Sequence, residues 1–404
     1  MTQTRKAVIA AARRTAVCPR GGALALLQAD ELAAPVLAQL VVDAGIEPEE
    51  VDCVFLGNAL YGGGNPARLA ALRAGLPQTV PALTIDTQCC SGLDAIVMGA
   101  RLIEAGAADI VLAGGAESFS RSPIRMTRPV DPAAPPVAYD RPAFAPAPFG
   151  DPDLADAAAR LAAETGTSRE DQAVFAVTSH DKARSARGYL RGRLVNAGGK
   201  LPEEDGFTRH LSLKTALRAP LLNGDHETGL SAATIACEAD GAAAVLLMSE
   251  GAFQERFHLN SSESRMTGLK ILASRSAGGS PAEPALVPIE VAKAMFAELG
   301  MDATKLAATE LMEAYAVQAM VTAAHLGLES EGLNRMGGAL ARGHPIGASG
   351  AILAVHLFDV LTRKETPAEG ARNLGMALIA AAGGLGSGIV VSPAVRKVGQ
   401  LLSI

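Results

Sequence analysis

Short apolar runs alternate with amphipathic stretches over the first 117 residues. Ala7–Ala11 is an apolar run of strand length, and Asp30–Ala44 carries its apolar residues at helical spacing. Val51–Gly57 predicts a strand, Ala67–Ala74 a helix and Ala82–Thr87 a strand again. Ser91–Ala105 has a helical period, and Asp109–Ala113 is a buried β run ending in Gly114-Gly115. Alternation of this kind predicts a layered α/β fold.

The pattern then breaks. Nine of the 23 prolines fall between Pro123 and Pro152, interleaved with Arg125, Arg128 and Arg141. Proline fixes φ and removes backbone donors, so this stretch reads as an extended excursion outside any sheet. Leu154–Thr165 is helical, and Ser168-Arg169-Glu170-Asp171 is a capping sequence that opens a helix over Gln172–Arg187. The segment up to Asn223 is basic for its size, with Lys182, Arg184, Arg187, Arg191, Arg193, Lys200, Arg209, Lys214 and Arg218. Strand and helix alternate again from Ala242–Met248 onward. An internal repeat spans the excursion. Ser91-Gly92 opens a helix leading to Ile110–Ala113 and Gly114-Gly115, and Ser349-Gly350 opens another leading to Leu378–Ala382 and Gly383-Gly384, with an insertion around Thr362–Gly370. A duplicated half would let one copy bury its helical layer on the other. Ser-Gly helix starts and Ala-Gly-Gly strand ends also recur by chance, so the pattern alone leaves both readings open.

Composition narrows the classes. At about 100–200 residues per domain, the 404 residues make two or three domains, and 49% hydrophobic with 19% charged residues supports a large core. Thirty-six basic against 42 acidic residues, a net charge of -6, argues against a nucleic-acid partner. Aromatics are 3% with no Trp, while 42 Gly and long Ala runs suit closely approaching backbones. The five cysteines form no CxxC pair and no zinc spacing, which fits a reduced, cytoplasmic protein. The apolar block near the N-terminus is too short for a signal peptide. Asn373–Val395 holds no charge and imitates a membrane span, but its five glycines fit a strand–turn–strand better. No membrane partner is expected.

Two places carry candidate chemistry. Cys89 sits between a predicted strand and a predicted helix, where unpaired N–H groups and the dipole stabilise a thiolate. Its neighbour Cys90 competes for the role, and a pair of small buried residues is the plain alternative. Arg342-Gly343-His344-Pro345, ahead of Ile346-Gly347-Ala348-Ser349-Gly350, displays an imidazole in a Gly-rich turn, as suits a general base. His180, His210, His226, His258, His325 and His356 lack such a setting. Gly383-Gly384-Leu385-Gly386-Ser387-Gly388 does not follow the dinucleotide pattern GxGxxG, and no metal-ligand spacing appears.

Seven segments, in order, carry a resemblance. They are Ala7–Thr15, Cys89-Cys90-Ser91-Gly92-Leu93-Asp94-Ala95, Ala113-Gly114-Gly115-Ala116-Glu117-Ser118 and Ser168-Arg169-Glu170-Asp171-Gln172. Asp240-Gly241-Ala242-Ala243-Ala244, Glu313-Ala314-Tyr315-Ala316 and Gly337 to Pro345 complete the set. Together they resemble the thiolase family over nearly the whole chain, through its C-x-S-G-x-x-A, AGGxES, NEAFA and GGAxAxGHP motifs. The resemblance implies a five-layer αβαβα fold of two duplicated halves. Residues 1–117, completed by about 240–265, form the first half and 266–404 the second. Residues 118–239 form an inserted loop domain that holds coenzyme A, with Arg218 and Ser231 marked for binding it. It also implies that Cys89 is acylated by a thioester and that His344 activates it. The same resemblance implies an oxyanion hole made by the backbone N–H groups of Cys89 and Ala382.

The departures from that family are as informative. Ala380 stands where the family places its second cysteine, which takes a proton from the α-carbon of an acyl-CoA. Met312 replaces the Asn of NEAFA, Ala236 a Ser before the DGA strand, and Met336 the Asn before Gly-Gly-Ala. Three functions follow: an acyltransferase working through acyl-Cys89 with altered chemistry, a conventional thiolase with a substitute base, and a non-catalytic subunit that binds acyl-CoA. The resemblance implies acyl-CoA as substrate and no permanently bound cofactor or metal. It further implies a homodimer or homotetramer, with a partner protein as one source of an acceptor or of the missing groups.

Overall fold

A computed structural model of the chain describes residues 5–259, 268–362 and 373–394. The insertion expected at Thr362–Gly370, the stretch 260–265, both chain ends and the side chain of His258 lie outside the described residues, apart from Thr362 itself. In the first part of the chain the principal strands are β1 (Ala7–Arg14), β2 (Cys53–Gly57), β3 (Ala82–Ile85), β4 (Ile110–Glu117) and β5 (Ala239–Ser249). In the last part they are β6 (Gly268–Gly278), β7 (Leu306–Leu311), β8 (Leu374–Ala381) and β9 (Leu385–Ala394). The helices that matter here are α1 (Ala29–Ala44), α2 (Pro66–Arg73), α3 (Ser91–Glu104), α4 (Leu154–Thr165), α5 (Arg169–Arg191), α6 (Glu250–Leu259), α7 (Val287–Leu299), α8 (Ala316–Leu326) and α9 (Ile346–Leu361).

The strands run β7-β8-β9-β6-β1-β5-β4-β2-β3 in a ten-stranded sheet, the tenth, the short Cys18–Pro19, pairing with β5 off this path. The first half has the order third-second-fourth-fifth-first, and the second half repeats second-fourth-fifth-first. In the third place an isolated parallel bridge joins Thr309 to Leu333. The two first strands meet antiparallel, Val8 opposite Lys270 and Ile9 opposite Leu269, which joins the halves.

Strand alternation sorts the core into layers. Ile9, Val111, Ala113, Leu247, Ile379 and Val391 face a central cluster built on Leu93 and Ile96 of α3 and on Ile352 and Val355 of α9. The opposite strand faces, with Val8, Val54 and Leu112, pack on α1 and α2, and Met376, Leu378 and Val390 pack on α7 and α8. The stack is helix, sheet, paired helices, sheet, helix: the five-layer αβαβα fold.

The central helices approach each other backbone to backbone. A Cβ on Gly92 would lie 2.6 Å from the Gly347 carbonyl oxygen, and one on Gly350 would lie 2.6 Å from the Leu93 nitrogen. The sequence pattern ended the fourth strand at Gly114-Gly115, but β4 runs through both to Glu117. These glycines are there for clearance: a Cβ on Gly114 would collide with Ala243, and one on Gly115 with the Gly347 carbonyl. The proline-rich excursion is extended as expected, except for a small hairpin between Met126–Thr127 and Val137–Ala138. The uncharged stretch from Asn373 is the β8–β9 hairpin, and no described helix is long and apolar enough to cross a membrane.

Candidate active site

Cys89 sits in a sharp turn between β3 and α3. Asp86 Oδ1 accepts the Gln88 N–H at 2.9 Å, and Gln88 takes a left-handed φ of 55°. Ser91 Oγ accepts the Thr87 N–H at 2.9 Å and donates to the Gln88 carbonyl at 2.5 Å, which locks the turn. The two cysteines therefore point apart. Cys90 is fully buried, its sulfur 3.7 Å from the Ile379 carbonyl, while Cys89 is only half-buried.

His344 comes from the loop ahead of α9. Gly343 has φ +106°, a region that an L side chain rarely adopts, and a Cβ there would lie 2.7 Å from Ala239. The His344 N–H donates to the Cys237 carbonyl at 2.8 Å. Its Nε2 lies 3.2 Å from Cys89 Sγ and its Nδ1 2.7 Å from Ser349 Oγ. Ser349 donates its one hydroxyl proton to the Pro345 carbonyl at 3.2 Å. A Ser349 that donates there accepts from His344, which is the tautomer with the proton on Nδ1 and the bare Nε2 toward the thiol.

Burial dominates the electrostatics. It pushes the Cys89 thiol up to about 12, opposed by hydrogen bonds from the backbone N–H groups of Ala382 and of Cys89 itself. It also pulls His344 down to about 4. The pair thus rests as neutral thiol and neutral imidazole, with the Ala382 and Cys89 backbone N–H groups close to the sulfur. Glu117 lies beneath, pushed up to about 7 by burial. It accepts hydrogen bonds from Asn58 Nδ2 at 2.8 Å, Ala59 N at 3.0 Å and Gly347 N at 2.9 Å, tying the end of β4 to the start of α9.

Of the four departures, Met312 and Met336 belong to the central core cluster, against which Ala236 and Cys89 both pack. Ala380 is half-buried near the end of β8, opposite Gly386. The Met312 N–H donates to the Leu378 carbonyl at 3.0 Å. Ala236 donates its N–H to Ala314 at 2.9 Å, and Met336 is buried. Sequence reasoning missed Ser349 as the partner of His344 and Glu117 as the tie between halves. Glu117 lies inside a matched motif and Ser349 four residues beyond one, but the pattern does not say what either side chain touches. It also missed a buried polar cluster. Arg14 binds Asp205 through 2.7 and 2.9 Å hydrogen bonds and donates to His356 Nε2 at 3.1 Å, and His356 Nδ1 is 3.6 Å from Glu310.

A second recess, an open cleft of about 440 Å³, is lined by Arg209, Lys214, Thr215, Arg218, Ala232 and Ala233. Three cations around one cleft suit an anion. Arg218 is among them, whereas Ser231 is not: it is buried below, where its Oγ accepts the Ala233 N–H at 3.3 Å and shapes the turn. Among the described residues no group of three or more His, Cys, Asp or Glu is arranged to hold a metal ion.

Comparison with known proteins agrees with this geometry. The profile of the thiolase N-terminal domain matches residues 7–251 and that of the thiolase C-terminal domain residues 267–393. An acetyl-CoA acetyltransferase of Chromobacterium violaceum is 35% identical over 95% of this chain and 98% of its own length. One from Pseudomonas aeruginosa is 32% identical over the same shares. The crystal structure of the Bacillus anthracis acetyl-CoA acetyltransferase superposes with a TM-score of 0.86 at 27% identity, covering 98% of this chain and all of that one. The Acat5 thiolase of Ascaris suum, in complex with coenzyme A, gives 0.84 at 27% over 96% of this chain and all of its own. With both domain profiles matched in order around a paired Cys89 and His344, the chain belongs to the thiolase family of acyltransferases.

Proposed function

We propose that the chain takes acyl groups from coenzyme A thioesters onto Cys89 and passes them on without a second thiol. One observation carries this reading: His344 Nε2 stands 3.2 Å from Cys89 Sγ, while the position near the end of β8 where the family places a second thiol is Ala380, two residues before Ala382. The chemistry follows from the tautomer. Cys89 gives its proton to His344 Nε2, and the thiolate attacks the thioester carbonyl carbon. The oxyanion is held by the N–H groups of Cys89 and Ala382. The intermediate then collapses with cleavage of the bond to coenzyme A, whose sulfur takes the proton back from His344. Acyl-Cys89 and free coenzyme A remain. Acylation needs no further base, but proton removal from an acceptor α-carbon does, so the acceptor is an activated carbon, a decarboxylating partner or a heteroatom.

Segment 118–239 supplies the cleft with Arg209, Lys214 and Arg218, which suits the phosphates of coenzyme A as substrate. Residues 1–117, completed by about 240–265, and 266–404 are then the two halves that carry Cys89 and His344. Incubation with acetyl-CoA and longer acyl-CoAs, followed by intact-protein mass, tests the reading. An adduct that Cys89→Ala abolishes, with no formation or cleavage of acetoacetyl-CoA, is expected. No adduct with any thioester overturns it. The relatives named acetyl-CoA acetyltransferase, 35% and 32% identical across 95% of the chain, favour a second reading, conventional thiolase activity with a substitute base. Acetoacetyl-CoA turnover by the wild type would establish that one instead.

A further inference from the structure

Tyr315 stands where the family motif NEAFA has a phenylalanine, and its surroundings give the added hydroxyl nothing to bind. A backbone ladder places it beside the catalytic pair. His344 N–H donates to Cys237 O at 2.8 Å, Ala236 N–H to Ala314 O at 2.9 Å and Ala316 N–H to Thr234 O at 2.9 Å, which sets Tyr315 opposite Ile235. The half-buried ring packs in an apolar cluster with Ala155, Ala158, Ile235 and Leu286. The phenol has no hydrogen-bond partner among the described residues. Burial, then the charges of Asp153, Cys89 and Asp156, push it above its ordinary pKa, so it remains a donor. A half-buried phenol of this kind takes solvent as its partner until a bound group covers it, and its backbone pairs with the same 234–237 segment that receives the His344 N–H.

We propose that Tyr315 selects acyl groups bearing an oxygen on their chain, donating its O–H to that oxygen while the acyl group sits on Cys89; this rests on the acyl-Cys89 reading. A plain alkyl chain leaves the phenol desolvated and unpaired, whereas an oxygenated chain satisfies it, and sites of this kind discriminate through that difference. The test is the rate of Cys89 acylation by 3-hydroxybutyryl-CoA and 4-hydroxybutyryl-CoA, each relative to butyryl-CoA, read by intact mass. The wild type is expected to prefer at least one hydroxylated chain, and Tyr315→Phe, which keeps the ring, to lower that ratio roughly tenfold. A merely structural role for the hydroxyl would slow all three alike. A wild type with no preference, or a Tyr315→Phe variant that retains it, overturns the proposal. Absence of any adduct on the wild type overturns the acyl-Cys89 reading and this one with it.

Discussion

Around Cys89 the division of labour between backbone and side chain sets what each substitution does. The Cys89 and Ala382 N–H groups belong to the fold and survive mutation of their side chains, so the imidazole is the vulnerable part of acylation. His344→Asn is expected to slow acylation by about 10²–10⁴, measured as the rate of adduct formation with the best acyl-CoA. Ser349→Ala frees Nδ1 to lose its proton to the other nitrogen. Its expected signature is a single-turnover acylation rate about 10–100-fold lower with coenzyme A binding unchanged by calorimetry. A parallel loss of binding would make Ser349 merely structural. At the missing base, Ala380→Cys combined with Met312→Asn is expected to raise acetoacetyl-CoA thiolysis above wild type in a steady-state assay. The residue types of Cys89 and His344 were legible because short motifs hold them. Ser349 and Glu117 were not, because their roles are hydrogen bonds whose partners the sequence pattern does not name.

The paired helices α3 and α9 depend on glycines at their crossing, and those glycines differ in kind from others in the chain. Gly92→Ala puts a methyl group 2.6 Å from the Gly347 carbonyl oxygen and 3.0 Å from the Ala351 nitrogen, so the helices must part. A loss of about 1–3 kcal/mol in chemical denaturation is expected. Gly188 lies exposed within α5, with nothing within 4 Å of its added Cβ and no left-handed φ. Gly188→Ala is therefore expected to stabilise by about 0.5–1 kcal/mol. The two substitutions look alike in sequence, and only the neighbouring helix reverses the sign. The same cause explains the strand end misread at Gly114-Gly115. Glycine usually interrupts a strand, but here it admits the partner strand and the start of α9.

The two halves also meet through ionisable groups. Arg14 on β1 joins Asp205, His356 on α9 and, beyond it, Glu310 on β7. Glu310 is buried without a hydrogen-bond partner among the described residues, and burial raises it from 4.5 to about 8, against the pull of Arg342. The native state therefore binds this proton more tightly than the unfolded chain does. Between about pH 4.5 and 8 the folded form holds more protons, so stability falls as pH rises through that window. Glu310→Gln removes the titration, and its Tm is expected to decline less than that of the wild type between pH 5.5 and 8.5. Equal slopes in thermal scans would remove Glu310 from this role. His356 was not legible here: on an apolar helix it looks like any packed histidine, and its partners come from β1 and β7.

The sequence by itself determined most of the strands and helices, the alternation that makes a layered α/β chain, and the residue types of the proposed nucleophile and base. Those are local properties, set by periodicity, caps and short motifs. It also marks Ala380 and Met312 as departures from the family pattern, because a replaced residue type is visible without coordinates. The family resemblance already marks Cys89 rather than Cys90, but only the tertiary structure sets that sulfur against an imidazole 255 residues away. Only there does Ser349 meet His344 Nδ1 and Tyr315 stand without a partner among the described residues. A hydrogen bond depends on distance and angle in space, and for groups this far apart the packing of one half against the other sets both.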